Sequence, residues 1–234
     1  MPGSFVSGSS QYINLGINQS YCVNCSAHSI SAWIYVTDTS VERDIVSISI
    51  GASSSTTSSR ASIVVLSGGT LSLISRASDV DAEHDCNSAA GTIAVNTWYH
   101  VVGVADLVNA TQTLYINGIQ NVQSTAVAFN QTTTSNTNAY NSCIGSQDNG
   151  SAAYMSGYIH DVRIFSRALT ANEVMTIYVS GGKDSIIYKQ DGRFLLSEGP
   201  TGTTISSVVN LGTVGTAGTP VNSPTYVNGI IESQ

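Results

Sequence analysis

The sequence predicts an all-β fold, an antiparallel two-sheet sandwich with one short helix near residues 171–178. Three observations lead there. Apolar and small or polar residues alternate with period two in run after run. Tight-turn pairs, Gly68-Gly69 and Asn117-Gly118, fall between such runs. The runs recur at roughly 8–12-residue spacing with turn residues between them. At 234 residues the chain is long enough for one large domain with a substantial core.

Taken in order, residues 11–15 start a strand after a Gly/Ser turn. Residues 29–36 place Ile30, Ala32, Ile34 and Val36 on one parity, the pattern of a half-buried strand. Residues 44–50 repeat it, and 60–66 and 70–75 flank the Gly68-Gly69 turn as a hairpin. Residues 79–91 are acidic, small and irregular, and read as a loop. Residues 98–106 and 112–116 form the next hairpin, and Asn117-Gly118 turns the chain into 119–123. Residues 132–139 are a polar, low-complexity loop. Residues 142–145 and 158–165 are further strands. Thr170-Ala171-Asn172-Glu173 fits a capping box, Val174, Ile177 and Tyr178 share one helical face, and Gly181-Gly182 stops the helix.

Composition narrows the partners. Only 10% of residues are charged and the net charge is -7, so the scattered eight Lys and Arg do not form a nucleic-acid or anionic-membrane surface. No run has the apolar length of a membrane span. Met1-Pro2-Gly3-Ser4-Phe5 lacks the basic and apolar blocks of a secretory signal, which gives the expectation of a chain that does not cross a membrane by that route. Cys22, Cys25, Cys86 and Cys143 allow three disulfide pairings, and Cys22-x-x-Cys25 could be half a zinc site. Without a second close pair or a signal peptide, buried or free thiols are the leading reading.

Several segments resemble one known family. Phe5, Gly8 and Tyr12-Ile13 match its opening, and Ser31-Ala32-Trp33-Ile34 its "Ser-x-Trp-Ile" strand. Trp98-Tyr99-His100-Val101, Leu114-Tyr115-Ile116-Asn117-Gly118 and the block from Gly157 to Glu173 follow in the expected order. Over residues 5–180 the chain resembles the laminin-G-like branch of the concanavalin A-like lectin/glucanase jelly rolls, relatives of the pentraxins. Each motif also has a structural explanation: Trp33, Trp98 and Ile164 as core, Asn117-Gly118 as a turn, Thr170 and Glu173 as a cap. The resemblance divides the chain into a sandwich, 1–182, and a C-terminal segment, 183–234, which is similar to the family's opening strand. That segment is then either permuted, completing its own sheet, or exchanged with a neighbouring copy. An extended tail is the plain alternative.

The hydrolases of this fold class carry a Glu-x-Asp-x-x-Glu strand whose carboxylates share one face. Glu42-Arg43-Asp44 and Glu83-His84-Asp85 begin like it but lack the third acid, and both read as solvated turns. No catalytic residue is assigned. His100 reads as packing or a backbone contact, and alternation puts His160 and Asp161 on opposite faces. Ser146-Gln147-Asp148-Asn149-Gly150 resembles the Gln-Asp loop of calcium-binding pentraxins. The resemblance makes Gln147 and Asp148 candidate calcium ligands, with Asp79, Asp81 and Asp85 in a second acidic loop that could approach. A polar turn is the competing reading, and no cofactor is otherwise required. Tyr140, Asn149 and Tyr154 are the candidate glycan contacts.

These readings lead to a non-enzymatic structural or adhesion protein, foremost a virion surface component such as a phage capsid decoration, fibre or tail-associated protein. That expectation draws on a resemblance to phage and marine bacterial laminin-G-like proteins. Its partners would be other copies of itself or other virion proteins, its place the virion surface after assembly in the host cytoplasm. The alternative is a secreted or cell-surface carbohydrate-binding module with glycan partners, extracellular in location. A glycan hydrolase is the minor alternative.

Overall fold

A computed structural model describes residues 2–17, 21–48, 61–78, 80–134, 141–147, 150–197, 200–213 and 217–227. Among the described residues fifteen strands, numbered in chain order, form two antiparallel sheets. The first sheet contains β1 (Gly3–Phe5), β3 (Ala27–Val36), β8 (Trp98–Asp106), β9 (Thr111–Ile116), β10 (Ile119–Thr125), β12 (Gly157–Phe165), β13 (Gln190–Phe194) and β15 (Thr225–Tyr226). Its order is β10-β9-β8-β3-β12-β1-β15, with β13 pairing β12 beyond the end of β1. The second sheet contains β2 (Tyr12–Gly16), β4 (Arg43–Ile48), β5 (Ala61–Leu66), β6 (Thr70–Ser75), β7 (His84–Asn87), β11 (Ser142–Ile144) and β14 (Thr219–Val221), ordered β14-β2-β11-β4-β5-β6-β7. The architecture is the all-β, antiparallel sandwich that the alternation predicts, with the jelly-roll form that the resemblance implies.

Strand β3 shows how the layers are built. Ile30, Ala32, Ile34 and Val36 point between the sheets and join Ile13, Leu15, Ile63, Leu73, Val101 and Ile164 in the main core. The opposite parity is not solvent. Helix α1 (Ala171–Ser180) lies on the outer face of the first sheet, where Val174 and Ile177 close a second apolar cluster with Val102, Val104, Tyr115 and Phe165. Burial of each of those two helical side chains contributes about 1.5–3 kcal/mol. Thr170 Oγ1 accepts from Glu173 N at 3.3 Å, and Glu173 Oε2 accepts from Thr170 N at 2.8 Å, so the expected capping box is present. Arg167 forks onto Glu173 at 2.7 and 2.9 Å and, with the cap, holds that carboxyl at about 2. Thr170→Ala is expected to lower stability by about 1 kcal/mol in urea denaturation, with no change in the slope of the transition.

Three sequence expectations change. Residues 84–87 are strand β7, not loop: its backbone pairs with β6 from Ser72↔Asn87 to Ser75↔His84, while Cys86 alone enters the core. Trp98 is not core. It lies half-buried on the outer face of the first sheet, and Trp33, though buried, lies on that face too, beneath Tyr178 of the helix at 5.6 Å between rings. Asp161 breaks the alternation with φ +45° in a bulge between His160 and Arg163. Both of those residues pair with β3 on one face, and the Asp161 carboxylate turns to Arg163 at 2.6 Å.

The C-terminal segment pairs within its own chain. β13 adds to β12, β14 to β2, and β15 to β1, so the tail brackets both N-terminal strands. All four cysteines are buried thiols outside any disulfide. Among the described residues no helix is long and apolar enough to cross a membrane.

Candidate functional site

Parity on the second sheet sends Ile63, Leu71 and Leu73 inward and leaves Ser62, Val64, Ser72 and Ile74 on its outer face. Those four side chains floor a groove of about 230 Å³. Its margins are acidic. Glu42 and Asp44 stand on the β4 side, and Glu83 and Asp85 on the β7 side. Cross-strand register runs Asp44↔Val64↔Ser72↔Asn87 and Ser62↔Ile74↔Asp85, so floor and margins are rows of one sheet surface. The two acidic triplets read separately as solvated turns therefore meet across one groove, and Asp44 is buried at 2% exposure. Sequence spacing contained no sign of this, because β5 and β6 lie between them.

A second depression of about 510 Å³ shares Glu42 and Gln147 with the groove and is lined further by Ser7, Val41, Arg43 and Tyr154. Arg43 offers little free charge to it. Its guanidinium pairs with Asp38 and donates to Tyr154 O at 3.0 Å. Asp38 in turn is held by its Ser40 turn at 2.9 Å. Burial, then repulsion from Glu83 and Asp85, raises the Glu42 carboxyl above the ordinary carboxylate range. Burial, then Glu83, does the same to Asp85.

Of the expected site residues, Gln147 lines both depressions and Tyr154 lines the larger one. Tyr140, Asp148 and Asn149 lie outside the described residues, as does Asp79. Asp85 and Gln147 do come to the same groove, whereas Asp81 is committed to the fold. Its oxygens accept from Ala77 N at 2.8 Å and Asn130 N at 3.1 Å. The loop oxygens beside Gln147 are engaged internally. Gly150 N donates to Gln147 O at 3.1 Å, Tyr154 Oη to Gly150 O at 2.6 Å, and Ser146 Oγ to Ala152 O at 3.0 Å. Among the described residues no three His, Cys, Asp or Glu side chains converge as a metal set.

His100, on the first sheet, is structural. His100 Nε2 lies 2.9 Å from Ser31 Oγ, its ring is 5.2 Å from Trp33, and burial lowers its pKa to about 3. It stays neutral, with its backbone clamped by Asn117 at 2.9 and 2.8 Å. A second feature escaped sequence reading. Tyr158, Tyr35 and Trp98 sit side by side across β12, β3 and β8 on the outer face, with ring separations of 5.1 and 5.6 Å. All three are half-buried, and form an aromatic ladder beyond the reach of the helix.

A two-layer jelly roll with a polar groove on one sheet face and an aromatic ladder on the other defines a lectin-like β-sandwich. Residues 7–175 match Laminin_G_3, the concanavalin A-like lectin/glucanases superfamily. The chain belongs to that family, as its motifs suggest. A candidate carbohydrate binding protein from Bacteroides ovatus superposes with TM-score 0.67 at 16% identity, covering 97% of this chain and 61% of that one. This chain thus spans less than two thirds of that protein's length. The CBM40 domain of a Ruminococcus gnavus IT-sialidase, bound to α2,3-sialyllactose, gives TM-score 0.57 at 16% identity, covering 76% and 96%. A heptameric SAP-like pentraxin from Limulus polyphemus gives 0.53 at 19% identity, covering 74% and 77%. At these identities the likeness is one of fold. No curated protein matches the sequence.

Proposed function

We propose that this chain is a non-catalytic glycan-binding domain, acting outside cells or at a surface, and that the groove on the second sheet is its sugar site. The observation that carries the reading is the groove itself. Ser62 and Ser72 on its floor, and the carboxylates and Gln147 at its margins, offer the mixed donors and acceptors that sugar hydroxyls require. Tyr154 in the adjoining depression offers a ring for a sugar face. The lectin-like family and the carbohydrate-binding structural neighbours support the same reading. A place in a virus particle drew on low charge, on a strand-like tail suited to linking subunits and on a resemblance to phage and marine bacterial laminin-G-like proteins. The described tail strands are taken up by the chain's own sheets, and it is the carbohydrate-binding structural neighbours that support sugar binding.

Hydrolysis at the same groove is the second reading, favoured by the raised carboxyls of Glu42 and Asp85, since a carboxyl held protonated can act as a general acid. Glycan-panel binding followed by calorimetry separates these outcomes. The expected result is saturable binding that Ser72→Ala and Asp85→Asn each weaken at least about fivefold, without release of reducing ends. Reducing-end release abolished by Glu42→Gln would establish the second reading. Quenching of Trp98 together with loss of binding in Trp98→Ala would move the sugar to the aromatic ladder. Absence of binding to any glycan would end the proposal.

A further inference from the structure

We propose that the groove between β4 and β7 selects cationic sugars, glycans bearing free amino groups, of which an oligomer of deacetylated glucosamine is the simplest. The inference rests on the glycan-binding reading above and names the substrate class of that site.

Charge is the first reason. Glu42, Asp44, Glu83 and Asp85 face one another across the floor of Ser62, Val64, Ser72 and Ile74. The described residues lining the groove include no Lys, Arg or His, and the guanidinium of Arg43, on β4 beside Asp44, is committed to Asp38 and to the carbonyl of Tyr154. His84 lies on β7 between the last two acids, but its ring packs edge-on against Phe129 at 4.9 Å. Among the described residues Glu42, Glu83 and Asp85 have no ion-pair partner, in a chain of net charge -7. A sugar carboxylate placed here meets four carboxylates and no cation among the described lining residues, whereas an ammonium meets several partners at once.

The second reason is independent of charge. Ser72 is 1% exposed, sits on the groove side of β6, and its Oγ has no hydrogen-bond partner among the described residues. Buried hydroxyls are nearly always bonded. A polar ligand lying along the floor supplies the missing partner, which a bare ion held at the margins would not. The carboxylates are spread along two margins, and no metal set converges among the described residues. That spacing suits a ligand whose positive charges are also spread along its length. Burial and mutual repulsion already raise Glu42 and Asp85, and a bound ammonium relieves that repulsion.

The test is calorimetry on the full chain at mildly acidic pH and low salt. The probes are a glucosamine oligomer, its N-acetylated counterpart, a neutral glucose oligomer, 3′-sialyllactose and oligolysine. The expected result is binding of the glucosamine oligomer at least about tenfold tighter than its N-acetylated form, and no binding of sialyllactose. Glu42→Gln with Asp85→Asn is expected to remove that preference while raising the thermal midpoint, because it removes buried like-charge repulsion; loss of binding is then not unfolding. Ser72→Ala is expected to weaken the sugar but not oligolysine. Equal or tighter binding of the N-acetylated or neutral oligomer would overturn the charge selection and leave the glycan-binding reading standing. Oligolysine binding as tightly as the sugar, with Ser72→Ala silent, would overturn the sugar specificity. Binding of none of the saccharides would overturn both readings.

Discussion

Arg163→Met is expected to destabilise the domain by about 3–5 kcal/mol, the cost of leaving buried carboxylates without their partner. At this chain length that is a fall in thermal midpoint of roughly 10 °C. Arg163 is fully buried. It donates to Asp161 at 2.6 and 3.0 Å and forks onto Asp184 at 2.8 and 2.8 Å. Asp161 also accepts from Arg193 of β13 at 2.9 Å, and Asp184 from Ser180 Oγ and Ile186 N, each at 3.0 Å. The network therefore ties β12, β13 and the segment leaving the helix into one unit. Lysine at 163 is not expected to rescue, because a point ammonium cannot make the planar fork. The pH dependence follows. Burial pushes Asp184 up, but the Arg163 fork and its other bonds outweigh this and hold it well below the ordinary carboxylate range. A lowered folded-state pKa stabilises above the unfolded value, near about 4, and that stability is lost as pH falls below it. Asp184→Asn is expected to flatten this acid limb in midpoint-against-pH measurements. An unchanged midpoint in Arg163→Met would refute the network's role.

Gly157→Ala is the other large effect, expected to exceed about 3 kcal/mol and to leave little folded protein at 37 °C. Gly157 opens β12 with φ +134°, and a Cβ there would lie 1.9 Å from Tyr35 O. The obstacle is backbone of the central strand, which cannot swing away as a side chain can. Relief requires β12 to part from β3, which would also separate Tyr158 from Tyr35 in the aromatic ladder. Gly91→Ala is the control. Gly91 has φ +73° with nothing within 4 Å of its Cβ position, so only backbone strain of about 1 kcal/mol is expected. Circular dichroism and thermal midpoints of the two variants, side by side, separate collision from strain.

Much of the fold was legible because its signals are local. Period-two alternation, Asn117-Gly118 (φ +50° and +80°) and the Thr170–Glu173 cap all act within a few residues. β7 was not, since a short polar strand has one core residue, Cys86, and pairing alone makes it a strand. The faces of Trp33 and Trp98 were not either. A sheet covered by a helix on its outside is apolar at both parities, and parity then does not say which side is the core. In the candidate site, Gln147 was picked out by its resemblance to the pentraxin Gln-Asp loop and Tyr154 as an aromatic beside that polar loop, while Glu42, Asp44, Glu83 and Asp85 were seen only as two incomplete motifs.

What the sequence by itself determined is the two-layer antiparallel plan, its turns and its one capped helix, because each depends on spacing between near neighbours. The meeting of two acidic pairs across a floor that carries Ser62 and Ser72 was decided only in three dimensions. Sheet order places β4 and β7 with two strands between them, and no interval along the chain records that distance. The bulge at Asp161, which carries an acid to a buried arginine and a tail strand to its place, belongs to the same class of fact.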